Sequence, residues 1–180
     1  RGIDVSGMTW FDTAEALAAE AEIDVFVELM GGATGAAADS VRAALSRGLH
    51  VVTANKALLA ASGVELARMA EEKGALLNFE AAVAGGIPVI KGLREGAAAN
   101  AITRVYGILN GTCNFILSKM EAEGRDFAEV LAEAQALGFA EADPSFDIDG
   151  VDAAHKLSIL ASIAFGTQPA FGDVAVSGIR

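Results

Sequence analysis

Between Ile23 and Glu80 the chain repeats one rhythm: a short β-branched and apolar run, a turn, then a helical stretch ended by glycine. Ile23–Leu29 (IDVFVEL) stops at Gly31-Gly32, a helix over Ala36–Arg47 ends at Gly48, and Leu49–Thr53 (LHVVT) follows. Strand, helix and strand fit within about thirty residues, the span of one crossover unit with parallel strands. The pattern then recurs. Ser62 with Glu65 predicts a capped helix running to Lys73 and closed by Gly74, and Ala75–Glu80 (ALLNFE) reads as another strand. Upstream, Asp12 with Glu15 predicts a capping box that opens a short helix through Ala21. Such a chain has few options. It is α/β, with an open, doubly wound parallel sheet and helices on the sheet's faces. Ligands of these sheets bind beyond the carboxyl ends of the strands, where Met30-Gly31-Gly32, Ala54-Asn55-Lys56 and the run from Glu80 to Gly86 fall.

After Gly85-Gly86-Ile87-Pro88 the rhythm changes, and a domain boundary near Gly86 divides residues 1–86 from 87–180. A helix near Pro88–Gly96 leads to Ile102–Leu109, which alternates like a longer strand. Helices are expected over Thr112–Glu123 and over Asp126–Leu137, the second capped by Asp126 and Glu129. An acidic loop, Gly138–Gly150, precedes a last helix over Val151–Phe165, so the second segment reads as α+β.

Charge and cysteine usage remove several functions. Acidic residues number 24 against 13 basic, a net charge of −11, and no basic stripe offsets it, so nucleic acid is excluded as a partner. The longest apolar stretches, such as Leu157–Phe165, are too short to cross a bilayer and lack signal-peptide flanks, so a soluble chain with no membrane partner is expected. Cys113 is the one cysteine; it excludes an internal disulfide and a cysteine-based zinc cluster and suits a reducing, cytoplasmic setting.

The segment from Gly138 to Lys156 (GFAEADPSFDIDGVDAAHK) holds the densest chemistry, with Glu141, Asp143, Asp147, Asp149 and Asp152 followed by Lys156. Asp147-Ile148-Asp149-Gly150 resembles part of a calcium loop, but that register would put Lys156 where a bidentate glutamate belongs, and a cation there repels calcium. Asp152 and Lys156 stand four apart and share a helix face. The turns after them are apolar nearly all round, the mark of a buried helix. The pair is then either aimed into a cleft or an ordinary salt bridge at a helix start, and both readings stand at this point. Lys56, directly after a strand, can hold a nucleotide or polarise a substrate oxygen; the plainer alternative is a solvated lysine that the helix dipole slightly disfavours. Gly31-Gly32 either lets a nucleotide approach the backbone or makes a tight turn. Asn110-Gly111-Thr112 offers amides suited to a carboxylate, or an ordinary cap. Cys113 has no evident histidine base, since His50 lies in a strand and His155 has no route to it, so it reads as a packing residue.

Five runs occurring in order resemble the homoserine dehydrogenase family: DVFVELMGG (Asp24–Gly32), HVVTANKALLA (His50–Ala60), FEAAVAGGIPVI (Phe79–Ile90), GILNGTCNFIL (Gly107–Leu117) and LGFAEADPSFDIDGVDAAHKLSIL (Leu137–Leu160). The resemblance implies a partial Rossmann-type sheet followed by a substrate-binding and dimerisation domain. It also implies interconversion of L-homoserine and L-aspartate 4-semialdehyde with NAD or NADP, on the route to threonine, methionine and isoleucine. By resemblance, Asp152 and Lys156 form the catalytic pair, Lys56 lies between nicotinamide and substrate, and Glu141 holds the substrate amino group. Asp147, Gly111 and Thr112 fall on the substrate side, and Gly31, Gly32, Asn55, Lys56 and Gly138 on the cofactor side. Main-chain oxygens of Glu80, Val83, Gly85 and Ile87 match a structural sodium site, and a homodimer or homotetramer is implied. No GxGxxG occurs, so the resemblance implies the central part of a longer protein. Two other readings fit parts of the pattern. One is a dehydrogenase of the same architecture for another amino-acid aldehyde or 2-oxo acid. The other is a non-catalytic dimerising module.

Overall fold

Three parallel strands carry the first half of the chain: β1 (Val25–Glu28), β2 (His50–Thr53) and β3 (Leu77–Asn78), hydrogen-bonded in the order β1-β2-β3. Val25 pairs with His50 and Glu28 with Thr53, while β3 joins only through Leu77 and Asn78 opposite Val51 and Val52. The computed structural model describes residues 2–168 and 171–180. It divides into two units, Arg1–Ala82 and Val83–Arg180.

In the first unit, helices α1 (Ala14–Glu20), α2 (Ala36–Ser46) and α3 (Lys56–Lys73) supply the cover for the sheet. Val41, Leu45, Val51, Leu58 and Leu66 are fully buried in the core between them. Val51 comes from β2, and Val41 and Leu45 of α2 and Leu58 and Leu66 of α3 from the buried face of each helix, whose burial is what makes helices of this length stable. β1 shows the alternation of a strand with one covered face: Phe26 and Glu28 are buried, Val25 and Val27 exposed. Glycines Gly48 (φ 80°) and Gly74 (φ 65°) end α2 and α3 in the left-handed region, which a side chain would resist.

Several expected caps are corrected. Helix α1 opens at Thr13, whose hydroxyl accepts the Ala16 amide at 3.0 Å; with two cap-competent side chains adjacent, Thr13 and not Asp12 takes the role. Helix α3 starts at Lys56, six residues before the expected cap at Ser62, because Asn55 Oδ1 accepts the Leu58 amide at 3.0 Å directly after β2. Ser62 and Glu65 lie inside α3 and turn to α2 instead, where the Arg42 guanidinium donates to both Glu65 carboxylate oxygens (2.8 and 3.0 Å) and to Ser62 Oγ at 3.3 Å. The strand expected over Ala75–Glu80 is shortened to Leu77–Asn78, and Glu80–Ala82 forms a tight turn.

The second unit is built from α4 (Val89–Lys91), continued by a wide turn over Gly92–Gly96, then α5 (Gly111–Glu123), α6 (Phe127–Ala136), α7 (Ser145–Ile148) and α8 (Val151–Phe165). Ile116, Val130, Ala134 and Ile148 form a core beneath α5, α6 and α7. Lys119 and Arg125 both close on Glu133 at its rim. The acidic loop therefore contains a helical turn, α7, and Asp126 sits at the start of α6 without a side-chain bond to it. Ile102–Leu109, expected as a strand, forms no ladder among the described residues. Tyr106 and Ile108 are 87% and 77% exposed there, and a strand without a hydrogen-bonding neighbour has nothing to define it. No helix among the described residues is long and apolar enough to cross a membrane.

The reassigned cap is testable by urea unfolding. Asn55→Ala is expected to cost about 1–2 kcal/mol, whereas Ser62→Ala stays within about 0.5 kcal/mol, as for an ordinary surface change. The reverse ranking would restore the start of α3 to Ser62.

Candidate active site

In the second unit the chemistry gathers where α5 and α8 begin. Asn110 caps α5, its Oδ1 accepting the Cys113 amide at 2.8 Å. The two N–H bonds of its Nδ2 go to two carboxylates, Asp147 Oδ1 and Asp152 Oδ2, each at 2.8 Å. Asp152 stands in the first turn of α8, where the helix dipole favours an anion, and is only 3% exposed. Four residues on, Lys156 Nζ lies 2.8 Å from Asp152 Oδ2 and donates to the Leu109 carbonyl at 2.9 Å. These two contacts use two of the ammonium's three donors. The surface salt bridge that the spacing allowed is thereby set aside: this pair is largely buried and tied on both sides.

A cavity of about 570 Å³ opens over these groups, lined by Gly111, Thr112, Gly138, Asp147, Asp152 and Lys156 among others. Thr112 Oγ1 lies 2.8 Å from the Phe139 carbonyl and 3.1 Å from Asp147 Oδ2, so its single proton serves one of the two. Gly138 (φ 77°) turns the chain out of α6 and brings Phe139 against Phe115, ring centroids 5.0 Å apart, as an apolar wall. Glu141 is exposed and does not line this cavity; its main-chain carbonyl is held by Gln135 Nε2 at 3.0 Å. Cys113 Sγ donates to the Asp147 carbonyl at 3.3 Å, and burial, with the charges of Asp147 and Asp152, pushes its thiol up from the ordinary range. The His155 ring packs against Phe171 and Phe146, at 4.3 and 5.6 Å between centroids. A larger, mostly apolar cavity of about 740 Å³ shares Asn110, Gly111 and Lys156 and includes Val83, Gly85 and Ile87. The Ile87 carbonyl already accepts the Val89 amide at 2.8 Å, while those of Val83 and Gly85 accept no main-chain bond among the described residues.

In the first unit the expected cofactor residues meet at the carboxyl end of the sheet. Gly31 and Gly32 take positive φ (84° and 89°) in an exposed turn. Asn55 Nδ2 donates to the Gly32 carbonyl at 2.7 Å, and Lys56 begins α3 beside it, half-buried. Glu80 starts the turn after β3. Glu28, which the sequence pattern passes over, is fully buried beneath the Gly31-Gly32 turn. Its Oε1 accepts the Met30 and Gly31 amides at 2.6 and 3.0 Å, and its Oε2 accepts the Thr53 hydroxyl at 2.6 Å. Thr53 Oγ1 in turn accepts the Asn55 amide at 2.9 Å. A polar residue at an inward position of an otherwise apolar strand was the available signal for Glu28. For Asn110 the signal was only that of a cap, because its two carboxylate partners lie 37 and 42 residues away.

Comparison with known proteins agrees in both halves. A family model described as the NAD-binding domain of homoserine dehydrogenase matches residues 4–80, and one described as homoserine dehydrogenase matches residues 88–180. A curated homoserine dehydrogenase of Pseudomonas aeruginosa is 60% identical over 163 residues, covering 91% of this chain and 37% of its own length. The crystal structure of a homoserine dehydrogenase from Thiobacillus denitrificans, 56% identical, superposes with a TM-score of 0.85 over 88% of this chain and 36% of that one. A hyperthermophilic archaeal homoserine dehydrogenase in complex with NADPH, 34% identical, gives 0.83 over 90% of this chain and 50% of that one. The chain thus spans little more than a third of the curated relative it matches. Because the second of the two family models alone takes in more than half of its residues, the chain belongs to the homoserine dehydrogenase family.

Proposed function

We propose that this protein interconverts L-homoserine and L-aspartate 4-semialdehyde, with NAD or NADP as the cofactor. The observation that carries the reading is the buried Asp152–Lys156 pair, tied through Asn110 to Asp147 at the floor of an open cavity. A bound nicotinamide supplies the hydride chemistry. Membership of the family and the archaeal relative's NADPH complex support that cofactor class. Lys156 Nζ passes a proton to and from the substrate oxygen, and Asp152 holds the ammonium at the cavity edge. Asp147, Gly111 and Thr112 face the substrate, and the exposed Glu141 carboxylate takes the substrate ammonium by resemblance to the family motif. In the first unit, Gly31, Gly32 and Asn55 receive the dinucleotide, and Lys56 stabilises the developing alkoxide. Gly138 contributes on the cofactor side. The open carbonyls of Val83 and Gly85 suit a hard monovalent cation such as sodium, with Ile87 and Glu80 completing the family's set; its contribution is structural.

Lys156→Ala in the intact protein is expected to lower kcat for homoserine oxidation about 10²–10⁴-fold, the usual worth of a positioned proton-transfer group, with NADPH affinity unchanged. Equal loss of turnover and cofactor binding would contradict this division of roles. Glu141→Ala is expected to raise KM for homoserine more than it lowers kcat, and an unchanged KM would remove Glu141 from the substrate site. Cys113, its thiol pushed up, is expected to react with iodoacetamide at pH 7.5 more slowly than free cysteine, and Cys113→Ala to stay active. Inactivation of the Cys113→Ala variant would instead favour covalent aldehyde chemistry.

A further inference from the structure

Residues 174–180 lie against the α7–α8 connection at main-chain distance, and two glycines make that approach possible. A Cβ on Gly178 would fall 2.8 Å from the Ile148 carbonyl oxygen and 3.1 Å from Asp149 Cα, backbone atoms that cannot swing aside. A Cβ on Gly150 (φ 85°) would fall 2.9 Å from Val176 Cγ1 and 3.2 Å from the Ser177 carbonyl oxygen. The contact is fastened at its end. The Ile179 amide donates to the Ile148 carbonyl at 2.9 Å, and its side chain packs on the core that contains Ile148. The Arg180 guanidinium donates to both Asp149 carboxylate oxygens (2.7 and 3.2 Å) and to Ser145 Oγ at 3.3 Å. The clamped residues, Ile148 to Gly150, are three of the four that join Asp147 to Asp152. The connection between the two carboxylates that share the Asn110 amide is thus in contact, from behind, with residues that line no part of the substrate cavity.

We propose that Gly178 is a positioning residue for the reaction. Its missing side chain lets residues 174–180 press the Ile148–Gly150 connection into the place that holds Asp147 and Asp152 on Asn110, and Lys156 with them. The inference rests on the functional reading above and adds a part of the chain to which that reading gives no role. Gly178→Ala removes no polar group from the cavity; it displaces the connection by a few tenths of an ångström or more.

In the intact protein, Gly178→Ala is expected to lower kcat for homoserine oxidation at least several-fold and up to about 100-fold, the upper figure being the scale of a misplacement of a full ångström. The dissociation constant for NADPH should stay at the parent value, and the pH profile of kcat should shift because the Asp152–Lys156 pair has moved. A merely structural glycine would lower the melting temperature and leave the pH profile of the folded fraction in place. Parent kcat and parent pH profile in folded Gly178→Ala would overturn the proposal. If that variant does not fold, Arg180→Met decides: it cuts the tether to Asp149 and touches no cavity residue, so a lowered kcat supports positioning and parent kcat overturns it. A parent that turns over no homoserine defeats the functional reading instead. The geometric claim is then read from a crystal structure of Gly178→Ala, where displaced Asp147 and Asp152 carboxylates support it and unmoved ones refute it.

Discussion

Two carboxylates five residues apart, Asp147 and Asp152, would repel one another at short range if nothing stood between them, and the Asn110 carboxamide stands between them. One side chain does three things at once. Its oxygen starts α5, and its two N–H bonds join the acidic loop to the first turn of α8. A hydrogen bond to a charged group is worth about 1.5–3 kcal/mol, and a helix cap about 1 kcal/mol, so this residue joins three parts of the site at once. Lys156 depends on it at one remove. The ammonium bonds to Asp152 and to the Leu109 carbonyl, which directly precedes Asn110, so the cation and its counter-ion are fixed by the same turn of chain.

The first unit solves a similar problem with a different residue. The Gly31-Gly32 turn is exposed and cannot rely on packing, so its amides need partners from below. Glu28 supplies them for Met30 and Gly31 and passes the constraint through Thr53 to Asn55, the cap of α3. Burying a carboxylate is costly unless donors surround it, and here three donors from two consecutive strand ends do so. In both units a polar side chain at the root of a turn replaces water, and the turn's outer face is left for something else.

What could be read from the sequence follows from the range of the forces involved. The parallel sheet is legible because hydrophobic periodicity and glycine stops act over a few residues, and α8 falls over Val151–Phe165 as its capping loop and apolar body indicate. Asp147, Asp152 and Lys156 sit close enough in sequence to read as one feature, and Gly111, Thr112 and Gly138 line the same cavity. The caps were harder. Ser62 with Glu65 has the spacing of a cap, yet Gly63 has room inside α3, and the Asn55 cap wins because β2 ends just before it. Ile102–Leu109 alternates like a strand but finds no partner among the described residues, and partners are what alternation cannot supply. The Glu28–Thr53 bond, the two carboxylate partners of Asn110 and the approach of residues 174–180 to Ile148–Gly150 were out of reach for one reason: each joins atoms more than twenty residues apart.

The most direct test is a calorimetric titration of L-homoserine, with oxidised cofactor present, into the intact protein and its Asn110→Ala variant. If the carboxamide assembles the substrate site, Asn110→Ala should bind L-homoserine at least about tenfold more weakly, the worth of losing one charge-assisted hydrogen bond. Its thermal unfolding should move by no more than the loss of a cap and a buried bond explains. Parent affinity in Asn110→Ala would mean that Asp147, Asp152 and Lys156 hold their places without it, and the account of the site would fail.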